Sequence, residues 1–244
     1  CTCRSPVETI LAALINRRDL LILAIATALS LSIYLAASAL TFRVGFPLDD
    51  SWIHLTYARN LALRGEWAFL PGVPSAGSTA PLWSALLAIG FILRLAPFIW
   101  TYLLGGLFLF ALAAFAEISA RRLLISYRPR LPLIGFFFAF EWHLIWSAGS
   151  GMETLLHASL VTMILLLLNE PSPRPLTIGL LTALSIWVRP DGLTLLGPAA
   201  LTLLLREKPA AEILQAAIKA PIIYGFGVVD GYVVPDHPAR IYAA

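Results

Sequence analysis

From Leu20 to Phe42 the chain has no charged residue over 23 positions, and that run constrains its fold more than any other feature. As a helix it is about 35 Å long, enough to cross the roughly 30 Å hydrocarbon core of a bilayer. Further apolar runs follow, and 59% of residues are hydrophobic against 13% charged, with a mean hydropathy of +0.83, seven Trp and thirteen Phe. No soluble domain hides that much apolar surface, so the expected fold class is all-α, a polytopic transmembrane helix bundle. Arg17 and Arg18, just before the run, hold the N-terminus in the cytoplasm by the positive-inside rule, which sends the far end of the helix outside. A signal peptide fits poorly, since the run is too long and no small-residue cleavage site stands out. The net charge of +3 comes with arginines in short loops. No patch would track phosphates or read bases, so nucleic acid is not an expected partner.

The order of the later runs decides which residues share a side. Ile53, Tyr57 and Leu61 recur at helical spacing with His54, Arg59 and Asn60 between them, and Gly65 closes the pattern as a C-cap. This predicts an amphipathic helix on the outer membrane face. Glu66 to Thr79 is rich in Gly, Pro and Ser and reads as an irregular loop, a common place for substrate contacts. Ala80 to Leu93 has only 14 residues. If it spans, Arg121, Arg122, Arg128 and Arg130 lie outside, against the charge rule. If it is re-entrant or interfacial, Leu95 to Ala116 alone runs inward, the arginines are cytoplasmic, and Leu131 to Ser147 returns outward to deliver Glu153 to the face of Asp49 and Asp50. The second arrangement is preferred.

Thr154 to Leu168 then runs inward to the Pro-rich turn at Glu170 to Pro175. Leu176 to Val188 and Gly192 to Leu205 read as two short helices separated by Arg189-Pro190-Asp191-Gly192, and broken helices occur inside membranes mainly where they line a cavity. Arg206 and Lys208 bring the chain back to the cytoplasm. The expected organisation is a cytoplasmic N-terminus over 1–19 and a membrane module over 20–208, with interfacial helices in an exterior loop at 43–94. A possible further span and a truncated tail fill 209–244. The first residue is not Met and the tail is polar, which suggests a fragment of a longer protein. Cys1 and Cys3 are too close to form a zinc cage or a structural disulfide and receive no role.

Asp49 and Asp50 are adjacent carboxylates where the first span meets water, and ionisable groups there are functional candidates. The plainer reading is a solvated helix cap. Glu153 either lines the same site or serves the dipole of the helix beginning near Thr154. Arg189 lies between two apolar helices and needs a partner, either a ligand or Asp191 in a structural ion pair. Arg59 projects from the interfacial helix toward a ligand or the headgroups. His54 lies four residues after Asp50, so an Asp-His pair or metal ligation competes with simple solvation. His143 and His157 are read as structural, and Trp52, Trp67 and Trp83 as interfacial anchors.

The stretches Leu48-Asp49-Asp50-Ser51-Trp52-Ile53, Tyr57-Ala58-Arg59-Asn60-Leu61-Ala62 and Gly77-Ser78-Thr79-Ala80-Pro81-Leu82-Trp83 follow one another in the exterior loop. With Gly65, Pro71-Gly72, Gly151-Met152-Glu153-Thr154 and Arg189-Pro190-Asp191-Gly192, their order resembles the N-terminal membrane module of the GT-C type glycosyltransferases, over residues 15 to 208. That group includes protein mannosyltransferases, aminoarabinose transferases and arabinofuranosyltransferases. The resemblance implies a plasma membrane enzyme with a polyprenyl-phosphate-linked sugar donor, a glycan, lipid or protein acceptor on the exterior face, and inversion in one displacement. Asp49 matches the catalytic carboxylate and would take the acceptor proton. Asp50 would assist, orient the acceptor or bind a divalent cation such as Mg²⁺ or Mn²⁺, with Glu153 as a second ligand or an acceptor contact. Arg189 and Arg59 would meet the leaving lipid phosphate. The rivals are a transporter or lipid flippase, which would bind substrate or protons at the acids and the broken helix, and a noncatalytic membrane subunit.

Overall fold

The computed structural model describes residues 15–205 apart from 125, 126 and 128. Cys1, Cys3, Arg128, Arg206, Lys208 and the possible span at 210–229 lie outside the described residues. The chain is mostly helical. Helix α1 (Arg17–Thr41) and helix α4 (Pro97–Leu123), of 25 and 27 residues, are long and apolar enough to cross a membrane. Between them lie α2 (Asp49–Arg64), two short strands, β1 (Ala68–Leu70) and β2 (Val73–Pro74), and α3 (Pro81–Ile92). After α4 come α5 (Leu133–Phe140), α6 (Trp142–Gly149), α7 (Thr154–Leu168) and α8 (Pro175–Val188). A 3₁₀ turn (Pro190–Leu195) and α9 (Leu196–Leu205) complete the described chain.

Local chemistry sets most of these boundaries. Asn16 caps α1 by accepting the Asp19 N–H at 2.8 Å. Proline begins α3, α4, α8 and the 3₁₀ turn, where its fixed φ suits a first turn and its missing N–H is not needed. Gly65 ends α2 in the left-handed region at φ 70°, the conformation a non-glycine resists.

Three expectations are corrected. Leu131 to Ser147 is not one helix: Glu141 is extended (φ −69°, ψ 124°), and its carboxylate accepts the Leu144 N–H at 2.9 Å to cap α6. The local cap outweighs the apolar run. Gly192 to Leu205 is likewise divided, with the 3₁₀ turn preceding α9. Glu66 to Thr79 is not wholly irregular, because β1 and β2 pair antiparallel across Pro71-Gly72. This hairpin is tied to α2: Asn60 Nδ2 donates to the carbonyls of Ala68 and Phe69 at 2.8 and 3.0 Å, and the Tyr57 hydroxyl lies 2.6 Å from that of Ser75.

Helix α4 is the hub, packed against α1, α3, α5, α6 and α7. Leu109, Leu112, Leu31, Ile145 and Leu155 form one apolar core along it, and Trp83, Leu87, Leu104, Leu156 and Val188 form another. Outward, Leu21, Ile25, Leu29 and Ile33 of α1 and Ile99, Leu103 and Leu107 of α4 stay exposed, each set at four-residue spacing.

The two ends of this array are polar in different ways. At one, the fully buried Glu117 of α4 accepts from Arg121 Nε at 2.6 Å and, through its other oxygen, from Ile134 N, Gly135 N and the Tyr127 hydroxyl at 3.1 to 3.2 Å. Arg121 also reaches the buried Asp19 of α1 at 2.8 Å, and Arg122 pairs with Glu170 after α7. Four helices are thereby fastened at one end. The other end carries α2, α3 and the turn between α6 and α7.

Removing one partner of a buried ion pair strands the others, at a cost of about 3 kcal/mol or more. Glu117→Gln is therefore expected to lower the unfolding midpoint of the detergent-solubilised chain by that equivalent, whereas Arg174→Gln, at an exposed arginine with no ion pair among the described residues, is expected to leave it within about 0.5 kcal/mol. Circular dichroism against temperature measures both.

Candidate functional site

Asp49 and Asp50 open α2. The cap position belongs to Leu48, which makes no side-chain cap bond, so the acids are first-turn residues favoured by the helix dipole. Both are exposed, and the Asp49 carboxylate accepts the Asp50 N–H at 3.0 Å. The segment before them is fixed by aromatic packing. Phe46, 7% exposed, sits against Trp52, Phe98 and Tyr102 with ring centroids 5.0 to 5.6 Å apart, and Tyr102 donates to the Gly45 carbonyl at 3.2 Å.

The inner face of α2 differs from the one its apolar period predicts. The buried residues are Ser51, His54, Leu55, Tyr57, Ala58 and Asn60, while Ile53 and Leu61 are only half-buried. A polar partner surface turns the helix this way. Ser51 Oγ donates to the Ser150 carbonyl at 2.7 Å, and Trp83 Nε1 of α3 donates to the Gly151 carbonyl at 3.0 Å. Trp83 is thus a buried clamp on the 150–153 turn, not an interfacial anchor.

That turn presents Glu153, 3% exposed, at the start of α7. Its Oε2 lies 3.5 Å from His54 Nε2, and its Oε1 lies 3.4 Å from Arg189 Nη1. On the far side of the guanidinium, Arg189 Nη2 lies 3.2 Å from Asp191 Oδ2. His54 is held from behind, its Nδ1 3.1 Å from Ser78 Oγ, which is 2.9 Å from Ser84 Oγ. Arg189 follows α8 directly. Its N–H donates to the Ser185 carbonyl at 2.9 Å, and the Ser185 hydroxyl lies 3.2 Å from His157 Nδ1 of α7. Three segments far apart in sequence, α2, the start of α7 and the end of α8, meet at one carboxylate.

Burial alone would raise the Glu153 carboxyl. The His54 ring, the residue's own backbone N–H and the Arg189 guanidinium outweigh it and hold the group below its ordinary 4.5.

Of the residues singled out from the sequence, the structure gathers His54, Glu153 and Arg189. Arg59 is exposed on α2 with no ion pair among the described residues. His54 does not pair with Asp50; its carboxylate is Glu153. Asp50 is exposed, the two Glu153 oxygens face His54 and Arg189, and no group of three or more His, Cys, Asp and Glu comes together among the described residues. Ser51, Ser78, Ser84, Ser150, Ser185 and His157 complete the network; Ser51 and Ser78 stand in the stretches that carry the resemblance, and His157 is a histidine inside an apolar run.

Comparison with family models, curated proteins and solved structures gives no match for this chain.

A carboxylate held below its unfolded value contributes stability that is fully present above the unfolded pKa and lost as pH falls through the folded one. The unaltered chain is therefore expected to exceed Glu153→Gln in unfolding midpoint at pH 7, by about 2–4 kcal/mol equivalent. The gap should narrow only below pH 4.5. Midpoints measured from pH 3 to pH 8 test this.

Proposed function

We propose that the chain is the membrane module of a GT-C type glycosyltransferase, a polytopic plasma membrane protein that moves a sugar from a polyprenyl-phosphate donor to an acceptor on the exterior face. The observation that carries this reading is that an exposed acid pair and a half-exposed guanidinium are built onto the same turn. Asp49 and Asp50 precede Ser51, which is bonded to Ser150, and Arg189 pairs with Glu153. A base that takes a proton and a cation that receives a phosphate are the two groups such a displacement requires. The apolar stripes of α1 and α4 suit a lipid surround. The arginines at the Glu117 end support a cytoplasmic assignment for that end and an exterior one for the acids.

In this reading the acceptor hydroxyl attacks the anomeric carbon as Asp49 accepts its proton, the bond to the phosphate oxygen breaks, and the phosphate departs with the bonding pair toward Arg189. Asp50, beside the base in the same exposed turn, orients the acceptor. Glu153 and His54 are too deeply buried to touch the sugar directly, and their part is to fix the guanidinium. Arg59 is left to the headgroups. No step runs through a cation.

Asp49→Asn keeps size and exposure but cannot take a proton. Transfer from a radiolabelled polyprenyl-phosphate sugar, measured with the exterior acceptor fraction, is expected to fall by about 10² to 10⁴, and Asp50→Asn by less. Undiminished transfer by folded Asp49→Asn would remove Asp49 as the base and favour a transporter or noncatalytic subunit.

A further inference from the structure

We propose that Asp191 is an internal stand-in for the phosphate: its carboxylate occupies the Arg189 guanidinium until a phosphate monoester displaces it, so Asp191 sets the affinity of the site. The inference rests on the reading of Arg189 as the phosphate contact.

Arg189 has two anionic partners of unequal kind. The Glu153 side chain is 4% exposed and its approach is backed by His54, Ser78 and Ser84. Asp191 is 66% exposed and meets only the outer nitrogen, at 3.2 Å. Exposed ion pairs exchange with water and with other anions at little cost, whereas a buried partner does not leave. The inner contact anchors the guanidinium, and the outer one is replaceable. A phosphate monoester offers oxygens spaced to accept from the same fork, with more charge than a carboxylate.

The carboxylate is held over the arginine by the backbone. Pro190 starts the 3₁₀ turn, the Gly192 N–H donates to the Arg189 carbonyl at 2.9 Å, and Thr194 Oγ1 donates to the Asp191 carbonyl at 2.7 Å. The turn also packs directly on the backbone of α8, where a Cβ at Gly192 would lie 2.5 Å from the Ile186 nitrogen. The main chain therefore stays and the Asp191 side chain swings. Charge requires that swing: Glu153 and Asp191 already give two carboxylates to one guanidinium, and a phosphate arriving with Asp191 in place would bring a third anionic group against them.

The test titrates the full chain in neutral detergent micelles with farnesyl phosphate and, separately, with inorganic phosphate, following heat of binding. Asp191→Asn is expected to tighten the apparent Kd about two- to fivefold. Arg189→Gln is expected to weaken it about tenfold or more, and Asp191→Asn to add nothing in that background. Where Arg189→Gln fails to fold, Arg189→Lys, which keeps a charge against Glu153 but lacks the fork, takes its place with the same expectation in smaller measure. Farnesyl phosphate is expected to bind more tightly than inorganic phosphate; equal affinity would overturn a lipid source for the headgroup. Asp191→Asn binding no better than the unaltered chain, with Arg189→Gln still weak, would overturn the role of Asp191 and leave the phosphate reading intact. An equal gain in both backgrounds would reduce Asp191 to a general charge effect and overturn the proposal. Undiminished binding by Arg189→Gln would overturn both readings.

Discussion

A carboxylate removed from water must be met by donors, and this chain buries a glutamate at each end of its helical array. Glu117 and Glu153 are 0% and 3% exposed, and the apolar surroundings offer them nothing but what neighbouring segments bring. Glu117 draws in Arg121, Tyr127 and the first N–H groups of α5, with Asp19 of α1 joined through Arg121. Glu153 draws in α2 through His54 and the end of α8 through Arg189. Between these ends the contacts are mostly apolar packing, which is strong in sum but far less directional. The directional bonds at the two glutamates set the register of the helices, and with it the direction in which the first turn of α2 faces.

How much of this can be read from sequence depends on the range of the force responsible. Helices α1 and α4 are legible because a long uncharged run needs no partner to be recognised, and α3 and α8 because proline marks their starts. The Glu141 break is local too, yet the apolar run around it conceals a side-chain cap. The hairpin after α2 is harder, since its strands are short and are tied to the helix through Asn60, Tyr57 and Ser75, of which only Tyr57 belongs to a periodic pattern. The buried face of α2 follows its apolar period only in part. Tyr57 is buried while Ile53 and Leu61 are half-buried, because the surface that meets the helix is a turn of backbone carbonyls and a carboxylate. His54, Glu153 and Arg189 each stood out by type and position; their meeting could not be read, because it depends on folds of the chain between them. Of the serines around His54, Ser78 stands in a stretch that carries the resemblance but nothing there points to its partner, and Ser84 left no trace, being small, common and neutral.

The site has a dry layer and a wet one. Glu153, His54, Ser78 and Ser84 form the dry layer and are nearly or fully buried, so their geometry survives changes in the water outside. Asp49, Asp50 and Asp191 form the wet layer, where side chains are free to exchange partners. Arg189 belongs to both, with one nitrogen on each side. In the proposed chemistry this division places the groups that must move in solvent and the group that must not move in the protein.

The cluster around Glu153 also bears on the order of events as the chain is made. His54 and Trp83 leave the ribosome early, Glu153 much later, and Arg189 later still. Until the end of α8 has emerged, Glu153 lacks its guanidinium, and its carboxylate has reason to remain hydrated. The start of α7 therefore settles only when the last partner arrives. A nascent chain halted before residue 189 would leave the Glu153 carboxylate with His54 as its one partner of the two.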